Sequence, residues 1–394
     1  MTVLDSEHSG GGVGTCSDLS GTETSKSGLT QAQDKKEPLL QKFGGFAYQT
    51  DQDGFGSLTY PNGDVYTGYL ECGVPHGYGS MQYNSGSTYK GGWKEGKRSG
   101  EGSLTYLTDW EYSGSWEGGL ASGHGVCVYA NGACYDGEWV EGRRCGHGIY
   151  DDSDGSTYVG EWLNGKRHGS VLSIYPDGQF EGLMKDGVWC GKGRCVDNDG
   201  DFYEGEYQDG QRNGHGRCVY GRSGATYEGA WVAGKIEGVG VTVWSDGTRY
   251  EGEFANNQEH GRGVFTYPSG AVYEGDVRYG KRCGNGRQVS PVGDVYEGEW
   301  HNNVRHGRGS HRWPGGTSYV GEFRDWSMHG RGLLTFPSGS TYEGQFVRGR
   351  FSGQGVFVQG GNRYEGVFEG RVVRGVRITD DGNRVEGEFV YHVR

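Results

Sequence analysis

One aromatic position returns about every 23 residues along most of the chain, and this period constrains the fold more than any other property of the sequence. It falls at Tyr66, Tyr89, Tyr112, Tyr135, Tyr158, Phe180, Tyr203, Tyr227, Tyr250, Tyr273, Tyr296, Tyr319, Tyr342, Tyr364 and, as an aliphatic, Val385. A repeat this short cannot bury a hydrophobic face alone, so successive copies must stack and share a continuous core. The length of 394 residues therefore does not imply several globular domains, because a stacked array grows by addition.

Each copy has the logic of a β-hairpin. In Gly56–Leu70, Leu58 and Tyr60 alternate with polar neighbours, as in a half-buried strand. Pro61-Asn62-Gly63 supplies turn chemistry, and a return strand runs through Tyr66, Gly68 and Leu70. Side chains alternate along a strand, so in YEGEW the residues Tyr296, Gly298 and Trp300 share one face and Glu297 and Glu299 the other. A glycine holds the central position in every copy, and Gly45 holds it after Phe43. Glycine weakens a strand, so its recurrence predicts that aromatic rings of neighbouring strands lie across that gap. Another glycine stands eleven residues after the Tyr (Gly77, Gly100, Gly123 and onward to Gly375). It predicts a tight reversal or close backbone approach where one hairpin feeds the next.

The expected fold is all-β: an elongated solenoid or rod of about 15 β-hairpin repeats forming one twisted antiparallel sheet, on the order of 140–150 Å long at ~4.8 Å per strand. Residues 1–42 carry few large apolar groups and are expected to be a disordered N-terminal tail. Within that tail, Gly11–Gly14 lacks the strand and helix that a phosphate loop needs. A continuous array is expected over 43–394, with a degenerate first unit at 43–65 and an incomplete last unit at 385–394. Spacing changes near Phe180, Tyr227 and the last two copies, and Val171 and Arg377 replace a common glycine, mark places where the repeat departs from its pattern.

Composition then excludes function classes. With 81 glycines but 8 prolines the chain is not collagen-like, and a net charge of −13 argues against nucleic acid as the main partner. No apolar run approaches the ~20 residues that cross a bilayer. The opening MTVLDSEHSGGG has no signal-peptide pattern, and Thr2 excludes N-myristoylation, so a cytoplasmic location is expected. The nine cysteines are expected to be reduced. Cys195 and Cys218 in successive copies would lie about 10 Å apart, beyond disulfide reach.

The pattern Tyr158-Val-Gly160-Glu161-Trp162-Leu-Asn-Gly165-Lys-Arg-His168-Gly169, repeated around Tyr296, resembles the MORN (membrane occupation and recognition nexus) repeat. The resemblance covers everything but the tail and implies hairpin repeats in an extended rod. The chain looks most like the array-only members of that family. Members of it organise cytoskeleton, and the family name implies membranes, so both remain expectations for this chain.

Five histidines, His76, His168, His260, His306 and His329, share one slot near the reversal and are expected to stabilise turns; successive ones are about 10 Å apart, too far to share a metal. His301, His306 and His311 fall on loop, turn and strand of one unit. The paired Glu297 and Glu299 lie on an exposed strand face, and no nucleophile–base pair emerges, so a non-enzyme without cofactor or metal is expected.

A basic ladder, Lys97, Arg98, Arg143, Arg144, Lys166, Arg167, Lys281, Arg282 and Arg305, is placed in the turns along one edge. It is read as solvated charge balancing nearby Glu, as a site for anionic lipid, or as an edge for an acidic partner such as tubulin. The tryptophans of YEGEW, with Trp244 and Trp313, are assigned to the core. Trp189 and Trp326 are placed in turns as partner contacts. The edge at Val385, Phe389 and Tyr391 is read as a self-association edge giving a homodimer. The leading functional expectation is a scaffold or spacer for cytoskeletal, ciliary, flagellar or cortical assemblies. Alternatives are a phosphoinositide-binding adaptor linking membrane to cytoskeleton and a regulatory array for an enzyme supplied in trans.

Overall fold

The computed structural model describes residues 54–108 and 110–390. The expected tail at 1–42, the start of the degenerate first unit with Gly45, and Tyr391 lie outside the described residues. Everything regular in the described chain is β-structure: thirty strands, paired antiparallel in successive hairpins. The all-β hairpin repeat read from the sequence is thus the observed fold. Among the described residues no helix is long and apolar enough to cross a membrane.

The chain divides into two compact units. The first holds residues 54–198 with 204–211, and the second holds 199–203 with 212–390. Within the first, strands from Gly54–Thr59 to Val188–Asp197 each pair with the next. The second continues in the same way to Arg384–Val390, and both are built from one module.

The module is clearest in the second unit. A seven-residue return strand, Val295–His301, meets a nine-residue outgoing strand, Val304–Arg312, through the two residues Asn302 and Asn303. Both turn residues have positive φ, 47° and 68°, the geometry of a hairpin turn matched to strand twist. Five residues, Trp313–Thr317, then lead to the next return strand, with the Trp313 amide donating to the Thr317 carbonyl. These lengths together make the 23-residue period.

The pairing within this hairpin contains one irregularity, which recurs in most copies. Gly298 pairs with Gly309, but Trp300 pairs with Arg305, so the outgoing strand holds two extra residues opposite Glu299. That bulge contains Gly307 at φ 66°. The glycine eleven residues after the Tyr is therefore a bulge position inside a strand, and the reversal itself lies at Asn302-Asn303. Glu299 answers the bulge twice: its carbonyl accepts the Tyr296 hydroxyl at 2.8 Å, and its carboxylate accepts the Arg308 amide at 2.9 Å. The same carboxylate bond recurs from Glu161 to Ser170 and from Glu322 to Arg331. The second Glu of YEGEW is thus a structural acceptor, which the sequence reading treated as a solvated face. Where the bulge is absent, as in Tyr364 paired with Arg377, the repeat is shorter.

The glycine pair has a direct steric cause. A Cβ on Gly298 would sit 2.6 Å from the Arg308 carbonyl oxygen and 2.9 Å from the Tyr296 hydroxyl; one on Gly309 would sit 2.8 Å from that hydroxyl. The ring filling the gap belongs to the Tyr of the same strand, and this corrects the expectation that rings from neighbouring strands fill it. Tyrosines and tryptophans then alternate edge-to-face. In the first unit Tyr89 meets Trp93 at 5.2 Å and Trp116 at 5.3 Å; in the second, Tyr296 meets Trp300 at 5.2 Å and Phe323 at 5.0 Å. Each such Tyr is fully buried. Trp244 and Trp313, assigned to the core from sequence, begin five-residue turns and are only half-buried. None of the eight described cysteines is joined in a disulfide.

Candidate functional site

Alternation within the outgoing strand decides what the tight turns display. In most copies the first residue after the turn is exposed, and the second points back at the aromatic row. Lys97, Arg143, Lys166 and Lys281 are first residues and are exposed. Arg98, Arg144, Arg167, Arg282 and Arg305 are second residues and lie over rings: Arg98 stands 4.4 Å from the Trp116 ring, Arg144 4.2 Å from Trp162 and Arg282 4.5 Å from Trp300. Three of these guanidiniums also donate to the carbonyl of the next turn, Arg98 to Gly119 at 2.7 Å, Arg144 to Gly165 at 2.9 Å and Arg282 to Asn303 at 3.0 Å. Burial holds the Arg282 and Arg305 guanidiniums below the usual range. The basic ladder is therefore two rows, and the arginine row packs inward, where the sequence reading had placed it in solvated turns. Extending the alternation back from buried Leu104 through Gly102 and Gly100 reaches Arg98, so the signal was present in the sequence.

The two tryptophans assigned to partner contact separate. Trp189 lies in strand Val188–Asp197 and occupies the inward slot; it is 8% exposed and stacks on Phe180 at 4.3 Å. It is a core residue, contrary to expectation. Its Cα partner Met184 stands where other copies carry Trp, and the indole supplies the missing aromatic surface. Trp326 does lie in a turn and is 48% exposed. It stands at φ 70°, in the second turn position that glycine fills in most copies. Arg305 lies 5.4 Å and Arg282 5.8 Å from its ring, and Trp300 meets it edge-on at 5.8 Å.

Arg305 departs from its row. It reaches Gln288 at 3.3 Å and the His311 ring at 3.5 Å, while its Nε is buried without a partner. His311 is 7% exposed, lies against Trp313 at 4.0 Å, and has Asp294 at 3.9 Å. Burial first and the Arg305 cation second push its pKa down to about 4, against the opposing pull of Asp294, so the ring is neutral near pH 7. The sequence reading missed this polar network; the signal was Gln288 and His311 in a slot that elsewhere holds Leu104, Phe265 or Leu334. His301 and His306 stay outside it, with ring centroids 6.1 Å apart. Among the described residues no group of His, Cys, Asp and Glu converges to hold a metal. A shallow depression of about 450 Å³ on the second unit is lined by residues that include His215, Arg217, Thr226, Glu228, Val241 and Arg249.

At the far end Val385 is 45% exposed and Phe389 is half-buried; Phe389 pairs with Val373 and meets Tyr364 edge-on at 5.7 Å.

The family description MORN repeat matches fourteen segments, from residues 51–65 through 112–134 and 296–318 to 342–360. No curated protein sequence matches the chain. Among solved structures, the TCP domain of SAS-4 (dCPAP) from Drosophila melanogaster, in complex with a proline-rich motif of Ana2 (dSTIL), is similar at 15% identity, covering 46% of this chain and 90% of that one with a TM-score of 0.24. The TCP10 domain of Danio rerio CPAP, with a STIL peptide, is similar at 13% identity over 61% of this chain and 92% of that one, TM-score 0.20. Virginiamycin B lyase from Staphylococcus aureus with quinupristin is similar at 10% identity over 78% and 96%, TM-score 0.12. At these TM-scores the likeness carries no argument about fold or function.

Proposed function

The chain belongs to the MORN-repeat family, and from that premise we propose that its array is a non-catalytic binding scaffold that organises cytoskeletal, ciliary, flagellar or cortical protein assemblies. The observation that carries this reading is the division of labour inside the module. Tyr, Gly, Trp and the second Glu of YEGEW are consumed in holding the hairpin, as Tyr296, Gly298, Trp300 and Glu299 show. Chemistry that differs from copy to copy is displayed at strand faces and turns, a form suited to partners that recognise a rigid surface. Detergent fractionation of cells expressing the tagged chain tests it: retention in the cytoskeletal pellet is expected, and a chain wholly in the supernatant with no co-purifying protein overturns it. Self-association through Arg384–Val390 belongs to the same proposal, since Val385 is exposed there and Phe389 half-covered. Light scattering on a chain ending near Gly361 is expected to show monomer, and persistent dimer removes that part.

A second reading, attachment to anionic phospholipid, is favoured by the exposed first-residue cations Lys97, Arg143 and Lys166, each worth up to about 1 kcal/mol near a charged surface. Reversing Arg143 and Lys166 to Glu should abolish co-sedimentation with phosphatidylserine vesicles; if the unaltered chain never sediments, this reading falls.

A further inference from the structure

The tight turns of the second unit are stitched to one another. In each, the second turn residue donates its amide to the carbonyl of the inward slot one hairpin earlier: Gly280 to Glu259, Asn303 to Arg282, Trp326 to Arg305 and Gly349 to Met328. The turns therefore form a continuous line, with equivalent positions about 10 Å apart at two strands per step. From residue 278 to residue 350 this line has an unusual charge. The turn residues and their immediate flanks carry Arg278, Lys281, Arg324, Arg348 and Arg350, all exposed and placed at three of the four turns, against one acid, Asp325; the turn Asn302-Asn303 between them is uncharged. In the first unit the same positions balance, with Lys94, Lys97, Arg143, Lys166 and Lys185 set against six acids. Two exposed aromatics stand within the basic line: Tyr279, 60% exposed, and Trp326. Trp326 is held there at a positive φ that costs a bulky residue roughly 1–2 kcal/mol, offset in part by its edge-on contact with Trp300 while about half of the side chain stays exposed.

We infer that the tight-turn edge from Arg278 to Arg350 docks an extended acidic peptide bearing a carboxylate at every third residue, with Trp326 at its centre. This rests on the scaffold reading and names the partner chemistry of one of its surfaces. A polyproline-like chain rises about 3.1 Å per residue with three residues per turn, so every third side chain returns to the same side after about 9 Å and meets the next turn. Four of the five exposed cations are arginines, whose planar fork pairs with carboxylates in two parallel bonds. The hairpins around this edge select against larger polyanions. With the carboxylates Glu274, Glu297 and Glu343 exposed on them, a membrane or long nucleic acid meets repulsion beyond the edge; a short peptide does not.

The experiment is fluorescence anisotropy on the full chain with a labelled peptide of about six Glu-Pro-Ser triplets. Binding is expected, weakened about tenfold or more by Arg324→Glu with Arg348→Glu, several-fold by Trp326→Gly, and by less than about twofold by Lys97→Glu with Lys166→Glu. Trp326→Gly suits the positive φ, so its loss of binding would not reflect misfolding. A peptide of the same composition with its glutamates contiguous should bind more weakly. The inference is overturned by absence of peptide binding, by equal loss from the two charge-reversal pairs, by equal binding of the contiguous peptide, or by phosphatidylserine vesicles or oligo-dT binding through Arg324 and Arg348 where the peptide does not. If the peptide fails while the chain stays in the cytoskeletal pellet, this inference falls alone; loss of both takes the scaffold reading with it.

Discussion

Arg144 in the first unit and Arg305 in the second occupy the same slot, two residues past equivalent turns. Arg144 is 8% exposed, lies 4.2 Å from the Trp162 ring and donates to the carbonyl of Gly165 at 2.9 Å. Arg305 lies over Tyr296 at 4.7 Å, makes only long bonds to Gln288 and His311, and leaves a buried Nε without a partner. The turn residue whose carbonyl Arg144 takes is a glycine; the corresponding residue beside Arg305 is Trp326. One turn substitution thus accompanies a change from a closed, self-satisfied hairpin edge to one with exposed aromatic surface and an under-bonded cation. In a repeat protein the module supplies stability everywhere, and the differences between copies are where recognition is built.

The comparison is first tested by a change that should ignore it. A Cβ at Gly137 would sit 2.5 Å from the Gly148 Cα, and Gly298 faces the same crowding in the second unit. Gly137→Ala and Gly298→Ala should each destabilise by about 1–3 kcal/mol or more, as overpacking does, and by similar amounts in thermal melts; a harmless Gly298→Ala would break the claim of a common module. The arginines should then differ. Arg144→Met removes a charge-assisted bond and a ring contact and should cost about 2 kcal/mol, read as faster exchange of the Gly165 amide, which donates to the Arg144 carbonyl. Arg305→Met removes an under-satisfied cation and should cost well under half of that; equal costs would erase the contrast.

The pH response follows from His311. Its folded pKa near 4 lies below the ordinary imidazole value, so between about pH 6.5 and 4 the unfolded chain binds more protons than the folded one. Stability of the surrounding hairpins should be fully present at neutral pH and fall on acidification through that window, by on the order of 1–2 kcal/mol. His311→Leu should remove that component, as Leu104 already does in the first unit, and an unchanged pH profile would count against the buried-ring account. Trp326→Gly should be the smallest effect, a stabilisation of about 0.5–1 kcal/mol from relief of the turn, partly offset by the lost contact with Trp300. The reciprocal Gly142→Trp should destabilise by a similar amount.

The strongest features were legible without coordinates because they are local. A seven-residue strand with period two necessarily places Tyr296, Gly298 and Trp300 on one face, and the turn residues Asn302 and Asn303 tolerate positive φ by their own chemistry. The same alternation would have exposed the inward arginine row and Trp189, had it been carried back to the turn. Other features were not present locally. Glu299 finds the Arg308 amide nine residues on, and Arg282 finds the Asn303 carbonyl twenty-one residues on. Both depend on a two-residue shift in strand register that no single copy announces. Sequence alone therefore determined the period, the hairpin and the buried aromatic face, since these follow from residue-by-residue geometry. Only the tertiary structure decided which polar groups are structural acceptors, that Trp189 is buried and Trp326 exposed, and where charge gathers along the turns, because those depend on what one hairpin places against the next.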